Sequence, residues 1–333
     1  MNFVGKVLRE HNGRLNWPVL IFLIVLLTYA IYEISDGFMP LHGLPSLEER
    51  VGSIRKTVNP DDFCFAVLGD HKNDKKVFPA IITIINDDPE ISFVIHTGDM
   101  VRDPRKIFYQ DFLKMVAVRL HKTILLVPGN HDVGGQGDDS LYKHAFGPKH
   151  YDFRIGKTHL VFIDTQRIAS KSEQTFLRNA LNQNKFSENT IMFMHIPLYD
   201  PRGPEKHHCL PETLSDKLLE LFSKYHVSHI FTGHIHGYWA GIWDTIPYTI
   251  TAGAGARLYS NDPAHGFHHY LKVRVKDGWI REEVVAVNKT LLSLAKNVIL
   301  TYVQIELQKS VLLILAVFFG LWSAWRLIRL RKT

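Results

Sequence analysis

Five places along this 333-residue chain set an Asp, Asn or His where an apolar run gives way to a polar or Gly-containing loop. They are Gly69-Asp70, Gly98-Asp99, Gly129-Asn130-His131-Asp132, His195 and Gly233-His234-Ile235-His236. Carboxylate, amide oxygen and imidazole together suit a hard-to-borderline divalent metal such as Mn, Fe or Zn. Asp70, Asp99, Asn130, His195, His234 and His236 are too many donors for one closed tetrahedral site and a good number for two metals. A paired site clamps the attacking and leaving oxygens of a phosphoryl displacement and deprotonates a bridging water. Each block alone is weak: Gly-Asp after a strand commonly caps a turn, and a lone His195 is more often a satisfied core histidine. All five in one order, at domain-scale spacing, make coincidence improbable.

Positioning them requires elements whose ends converge. Apolar strand-like runs at Phe63–Leu68, Ser92–Thr97, Thr123–Val127, His159–Asp164, Thr190–His195 and His229–Thr232 alternate with helical spacing at Val77–Asn86, Ile107–Leu120, Ser172–Leu181 and Leu214–Tyr225. That alternation predicts a layered α/β domain, and in such folds ligands sit at the C-terminal ends of the strands. Trp243–Ala252, Tyr270–Val275 and Trp279–Val285 read as later antiparallel strands forming a second sheet, with Asp277-Gly278 a hairpin turn between the last two.

These blocks resemble the calcineurin-like metallophosphoesterase superfamily over roughly residues 60–287. Phe146-Gly147-Pro148, Tyr151-Asp152-Phe153, Phe162-Ile163-Asp164-Thr165 and Gln174 resemble its purple-acid-phosphatase-like members. The resemblance implies two β-sheets sandwiched by helices, an αββα fold, and a metal-dependent phosphoric ester hydrolase using two divalent ions, manganese first and iron or zinc as alternatives. It also implies roles. Asp99 would bridge the metals; Asn130, His195 and His234 would complete one; Asp70 and His236 would serve the other. His131 would act on the leaving oxygen as general acid, oriented by Asp132.

One departure stands out. The family reads Asp-x-His at the first block, with the His a ligand, whereas this chain reads Asp70-His71-Lys72. Three arrangements stay open: His71 supplies the ligand through a shifted loop, the metal takes fewer protein ligands and more water, or Lys72 contacts the substrate phosphate and one metal is weak or absent. Elsewhere His96 reads as a buried, hydrogen-bonded strand residue, His207 and His208 as loop residues that either reach the site and read substrate or, the favoured reading, are solvated, and His265, His268 and His269 as packing or surface residues.

The remaining signals concern the bilayer. Apolar runs at Val19–Tyr32 and Val311–Trp325 fall short of the roughly 20 residues that span comfortably, but flanking aromatic and Arg side chains make up the difference. The expected order is a basic tail over 1–18, a span over 19–34, a linker over 35–57, the phosphoesterase domain over 58–287, an amphipathic helix over 288–309, a span over 310–328 and a basic tail over 329–333. Lys6, Arg9 and Arg14 precede the first span, and Arg326, Arg329, Arg331 and Lys332 follow the second. Positive-inside bias places both termini in the cytosol and the domain on the far side. Residues 1–18 and 326–333 together account for the whole net charge of +6, so the near-neutral middle argues against a nucleic-acid partner. Tethering at both ends suggests a lipid or envelope-linked phosphate ester, with a soluble nucleotide or phosphoprotein also open. The rival class is a degenerate phosphoesterase domain that binds a phospho-ligand or partner. Cys64 and Cys209 are the two cysteines, and their spacing suggests neither a disulfide nor a thiolate site.

Overall fold

Strand β1 (Asp62–Leu68) shows how the sequence builds layers. Phe63, Phe65 and Val67 face one side, Cys64, Ala66 and Leu68 the other, and both sets are buried. A strand apolar on both faces must be covered on both. In the computed structural model, which describes residues 40–133, 139–183 and 187–287 with isolated positions 23, 24, 27 and 28, this is what occurs. The described residues from 41 to 287 belong to one compact unit.

After β1 come α2 (Val77–Asp87), β2 (Ile91–His96), α3 (Lys106–Arg119), β3 (Thr123–Leu126) and α4 (Ser140–Phe146). Next are β4 (Tyr151–Ile155), β5 (Thr158–Phe162), α5 (Lys171–Asn182), β6 (Asn189–Phe193), α6 (Glu212–Lys224) and β7 (His229–Thr232). Strands β8 (Tyr238–Trp243), β9 (Ile246–Thr251), β10 (His269–Lys276) and β11 (Trp279–Ala286) close the domain. One sheet has the order β11-β10-β1-β2-β3, the other β4-β5-β6-β7-β9-β8. Strands β1, β2 and β3 run parallel, as do β5, β6, β7 and β9. Phe65, Phe93, Phe162, Phe193 and Phe231 fill the space between the sheets, where Phe65 stacks on Phe93 at 5.1 Å and Phe193 on Phe231 at 5.5 Å between ring centroids. Helices α2, α3 and α4 cover the outer face of the first sheet, and α5 and α6 that of the second. The αββα layering expected from the sequence is present.

Three details differ. The hairpin β10–β11 pairs with β1 in the first sheet rather than forming a second one, and its Asp277-Gly278 turn does take the expected positive φ values of 49° and 81°. The run from Trp243 to Ala252 is the end of one strand and the whole of the next, β9 lying parallel to β7. Residues 47–57, the end of the expected linker, form helix α1 (Leu47–Thr57), packed on β2 and β3. Ser46 and Glu49 build a reciprocal capping box at its start, and Val51 and Ile54 enter the inter-sheet core.

Among the described residues no helix is long and apolar enough to cross a membrane. The expected spans over 19–34 and 310–328 lie outside the described residues apart from the isolated positions, as do the amphipathic segment and both tails. Cys64 and Cys209 are free thiols.

Candidate metal centre

The parallel strands bring their C-terminal ends to one edge. Asp70 follows β1, Asp99 follows β2, Asn130 and His131 follow β3, His195 follows β6, and His234 and His236 follow β7. Asp70, Asp99 and His234 take φ values of 60°, 58° and 70°, a left-handed conformation that costs a non-Gly residue about 1 kcal/mol. Backbone bonds hold it: Asp70 N–H donates to Gly98 O at 3.0 Å and His234 N–H to Asp70 Oδ2 at 3.0 Å. Gly98 has φ +105°, and a Cβ there would stand 2.5 Å from His195 Nδ1.

His195 donates from Nδ1 to Thr97 O at 2.9 Å, which leaves Nε2 with a lone pair facing the site. Asn130 Oδ1 lies 3.1 Å from His195 Nε2 and 3.0 Å from His234 Nδ1, and the two imidazole nitrogens are 3.2 Å apart. Asp99 Oδ1 is 3.4 Å from His195 Nε2. Asn130 Oδ1, His195 Nε2 and His234 Nδ1 are mutually spaced close to the about 3.3 Å that separates ligand atoms on a tetrahedral metal with bonds near 2.05 Å. With His195 Nε2 and His234 Nδ1 unprotonated, these atoms present lone pairs to one point, a set that fits a divalent ion. Asp70, Asp99 and His195 also offer ligand atoms within 4.8 Å of one another.

A second position is less complete. Asp70 Oδ1, Asp99 Oδ2 and His236 Nε2 are buried without hydrogen-bond partners, Asp70 Oδ1 and His236 Nε2 being 3.5 Å apart. His236 Nδ1 donates to Arg257 O at 2.7 Å, again freeing Nε2. Lys72 enters here, its Nζ 3.2 Å from Asp99 Oδ2.

The charged groups act differently on the three central side chains. Burial opposes charge on Asp99, but His195, Lys72 and His131 bring its carboxyl down to about 2. Burial likewise opposes protonation of His195, yet Asp99 and Asp70 hold its pKa above the ordinary value. Burial and then His195 push His234 down to about 2, the neutral form a ligand requires.

His71 and Asp132 are placed away from roles considered for them. His71 cannot supply a ligand: its ring is wholly buried on the far side of the loop, stacked on Phe78 at 3.9 Å with Nδ1 3.0 Å from His96 Nε2. Burial lowers its pKa well below the usual value. His96 is thus the buried, bonded residue expected. Asp132 does not orient His131. Its carboxylate lies beneath the loops and accepts from Asp99 N at 2.7 Å, Gly129 N at 2.8 Å and Val101 N at 3.0 Å. Burial and Asp99 raise its pKa to about 7 while the N–H groups of Val101 and Gly129 oppose the rise. His131 is oriented instead by Nδ1 on Arg102 O at 2.7 Å, with its own N–H on Asp99 Oδ1 at 2.9 Å.

A cleft of about 310 Å³ opens over the centre, and Lys72, Asn130, His131 and His234 line its floor. His207, His208 and Tyr259 line it too, so both histidines border the site, His207 while exposed and His208 half-buried. Asp200 carries them there: it pairs with Arg202 at 2.9 and 2.7 Å and accepts from His208 N at 3.3 Å. Tyr259, which packs on His236 at 4.1 Å, went unnoticed in the sequence. Its loop follows β9, and the run Ala252-Gly253-Ala254-Gly255 carries the strand-to-glycine punctuation that marks the other blocks.

Two layered sheets whose parallel strands deliver Asp, Asn and His to one edge are the arrangement found in calcineurin-like phosphoesterases. The chain belongs to the calcineurin-like phosphoesterase family, whose profile matches residues 65–238. It is 24% identical over 199 residues to the serine/threonine-protein phosphatase CPPED1 of Danio rerio, covering 54% of this chain and 64% of that protein. The chain therefore spans just under two-thirds of that relative. Among solved structures the fold is similar to GAP50, the anchor in the inner membrane complex of Plasmodium, with TM-score 0.52, 17% identity, and coverage of 69% of this chain and 86% of the other. It is also similar to the purple acid phosphatase PPD1 of yellow lupin (Lupinus luteus) seeds, with TM-score 0.53, 15% identity, and coverage of 67% and 52%.

Proposed function

We propose that this chain hydrolyses a phosphomonoester or phosphodiester at the centre built on Asp99, Asn130, His195 and His234. The observation that carries the reading is the mutual approach of Asn130 Oδ1, His195 Nε2 and His234 Nδ1 to within 3.0–3.2 Å. A divalent cation held there supplies Lewis-acid polarisation and acidifies water. The chain's own groups do the rest. His131 has Nδ1 committed to the Arg102 carbonyl, so its Nε2 is the nitrogen available to the cleft. In its protonated form it gives that proton to the departing ester oxygen. Lys72 brings an ammonium to the same floor, and His207 and His208 bound the space for the leaving group.

The test is turnover of aryl phosphate mono- and diesters with Mn, Fe or Zn supplied. Metal-dependent activity, lost in Asp99→Asn and reduced at least about a hundredfold in His131→Ala, supports hydrolysis with a general acid.

Membrane tethering through 19–34 and 310–328, with the domain extracytosolic and a lipid or envelope-linked substrate, is part of this proposal. It rests on the apolar runs and the asymmetry of Lys and Arg. Protease protection of the domain in sealed inside-out vesicles supports the extracytosolic orientation, and its digestion there overturns it.

A second reading is favoured by one contact, Lys72 Nζ on the Asp99 carboxylate: a phosphoesterase domain retained as a binding module. The Plasmodium protein of the same fold is described as an anchor. A wild-type chain inert with every metal and every ester supports this reading.

A further inference from the structure

We infer that Lys72 takes the place of a second metal, so that the centre holds one resident divalent cation and uses the Lys72 ammonium as its other positive charge against the substrate phosphate. The inference rests on the phosphoesterase reading of the same site and concerns how that site is charged.

The backbone fixes which residue of Asp70-His71-Lys72 faces the cations. Lys72 has φ +47° and its N–H donates to Asp99 O at 3.1 Å. The next residue, Asn73, has φ +58° and donates to Met100 O at 3.1 Å, and Asp74 N–H donates to His71 O at 2.8 Å. These bonds pin the loop on the segment that follows β2 and alternate its side chains. His71 goes inward, between Phe78 at 3.9 Å and Phe112 at 5.3 Å from its ring. Lys72 goes outward, onto Asp99 and the cleft. Exchanging them would take an imidazole out of its aromatic slot and bury an ammonium there without an acidic partner. The loop therefore cannot offer His71 as a substitute ligand.

The two halves of the centre are unequal as a result. The half at Asn130, His195 and His234 has an amide oxygen and two imidazole nitrogens besides the shared carboxylate, each atom within 3.0–3.4 Å of another of the set. The other half has Asp70 and His236 besides the shared carboxylate, and there the Asp99 oxygen already faces an ammonium 3.2 Å away. A metal on that oxygen would meet like charge at close range. An ammonium also supplies what a second cation supplies to a phosphate, namely positive charge and donors directed at non-bridging oxygens. Lys72 is 17% exposed at its side chain, accessible enough to meet a ligand in the cleft.

The experiment is metal analysis of the purified full chain in detergent, loaded with MnCl2 and desalted, with the electron paramagnetic resonance spectrum recorded on the same sample. The expected result for wild type is one manganese per chain with an uncoupled six-line signal. Lys72→His, which restores a neutral donor at this position, is expected to reach two, with the broadened spectrum of an exchange-coupled pair. Lys72→Met is expected to stay at one manganese and to bind inorganic phosphate about tenfold more weakly by calorimetry, the loss of one charge-assisted bond. Circular dichroism melts of both variants confirm that they fold. Two manganese ions in wild type, or phosphate affinity unmoved by Lys72→Met, overturns the inference and leaves the phosphoesterase reading standing. No manganese in any of the three chains removes that reading as well.

Discussion

The Asp132 carboxylate lies 2.7 Å from the backbone nitrogen of Asp99, and this bond makes Asp132 a support for the segment that carries the Asp99 carboxylate. Its two oxygens gather N–H groups from Asp99, Val101 and Gly129, tying the loops after β2 and β3 into one rigid piece. In Asp132→Asn at least one acceptor is replaced by an NH2 group that faces a backbone N–H. The expected destabilisation is about 1–3 kcal/mol, seen as a lower thermal midpoint. Metal affinity is expected to fall roughly tenfold to a hundredfold. If Asp132 acted only by orienting His131, the loss would appear in turnover while metal affinity stayed unchanged.

Gly129 is the narrowest point of the same construction. A Cβ there would lie 2.2 Å from Asp99 Oδ1 and 2.3 Å from Asp99 N. Neither atom can retreat, because the carboxylate accepts from His131 N at 2.9 Å and the nitrogen is bound by Asp132. Gly129→Ala is expected to keep the αββα fold and displace the Asp99 oxygen, so that far-ultraviolet circular dichroism is preserved while calorimetry shows no Mn2+ binding. Unimpaired metal binding in this variant would mean that the centre does not use Asp99 as placed.

The blocks that carry chemistry were legible because each occupies the exit of a parallel strand, where glycine and a polar residue interrupt an apolar run. The β10–β11 turn was legible for a related reason, since Asp-Gly satisfies two positive φ values. What could not be read depended on tertiary partners. The choice between His71 and Lys72 is made by backbone bonds to the segment after β2, and single-residue patterns do not encode it. His207 and His208 reach the cleft because Asp200 and Arg202 close their loop. Strand β8 was hidden by three successive exposed residues, Ala240 to Ile242, at a sheet edge.

Acid titration offers a check on the hairpin that edges the first sheet. Hydrogen bonds from Arg274 and then Lys276 bring the Asp62 carboxyl down to about 2. A carboxyl lowered on folding stabilises the native state above its unfolded value, near 3.9, and loses that contribution as pH falls through the folded value. The stability difference between wild type and Arg274→Gln, measured by urea unfolding, is therefore expected to be present at pH 6 and to shrink between about pH 4 and pH 2. Because the pair is exposed, added salt should shrink it as well. A difference constant across this range would show that Arg274 acts by packing alone.

Helix α1 makes the segment ahead of residue 58 part of the domain, and Arg50 is the reason. This arginine is 4% exposed. It donates to Ile124 O at 3.1 Å, Phe146 O at 2.6 Å and Pro45 O at 3.0 Å, binding the end of β3 and the end of α4 to the helix. Leu41 and Leu44 add apolar contacts to the layer of α2, α3 and α4, and Leu44 N–H donates to Ala145 O at 2.8 Å. The sequence around Pro40, Gly43 and Pro45 looks like a linker, and a buried Arg is an unusual core residue, so only the Ser46-x-x-Glu49 capping box signalled a helix. Arg50→Met keeps the volume but leaves buried carbonyls without donors, and is expected to cost roughly 3 kcal/mol. A chain beginning at residue 41 should unfold cooperatively with the same denaturant midpoint as one beginning at residue 35. One beginning at residue 58 should lose α1 and expose Phe63 and Leu125 at the inter-sheet core, giving a lower midpoint and increased dye binding. Equal midpoints for the starts at 41 and 58 would return residues 41–57 to the status of a linker.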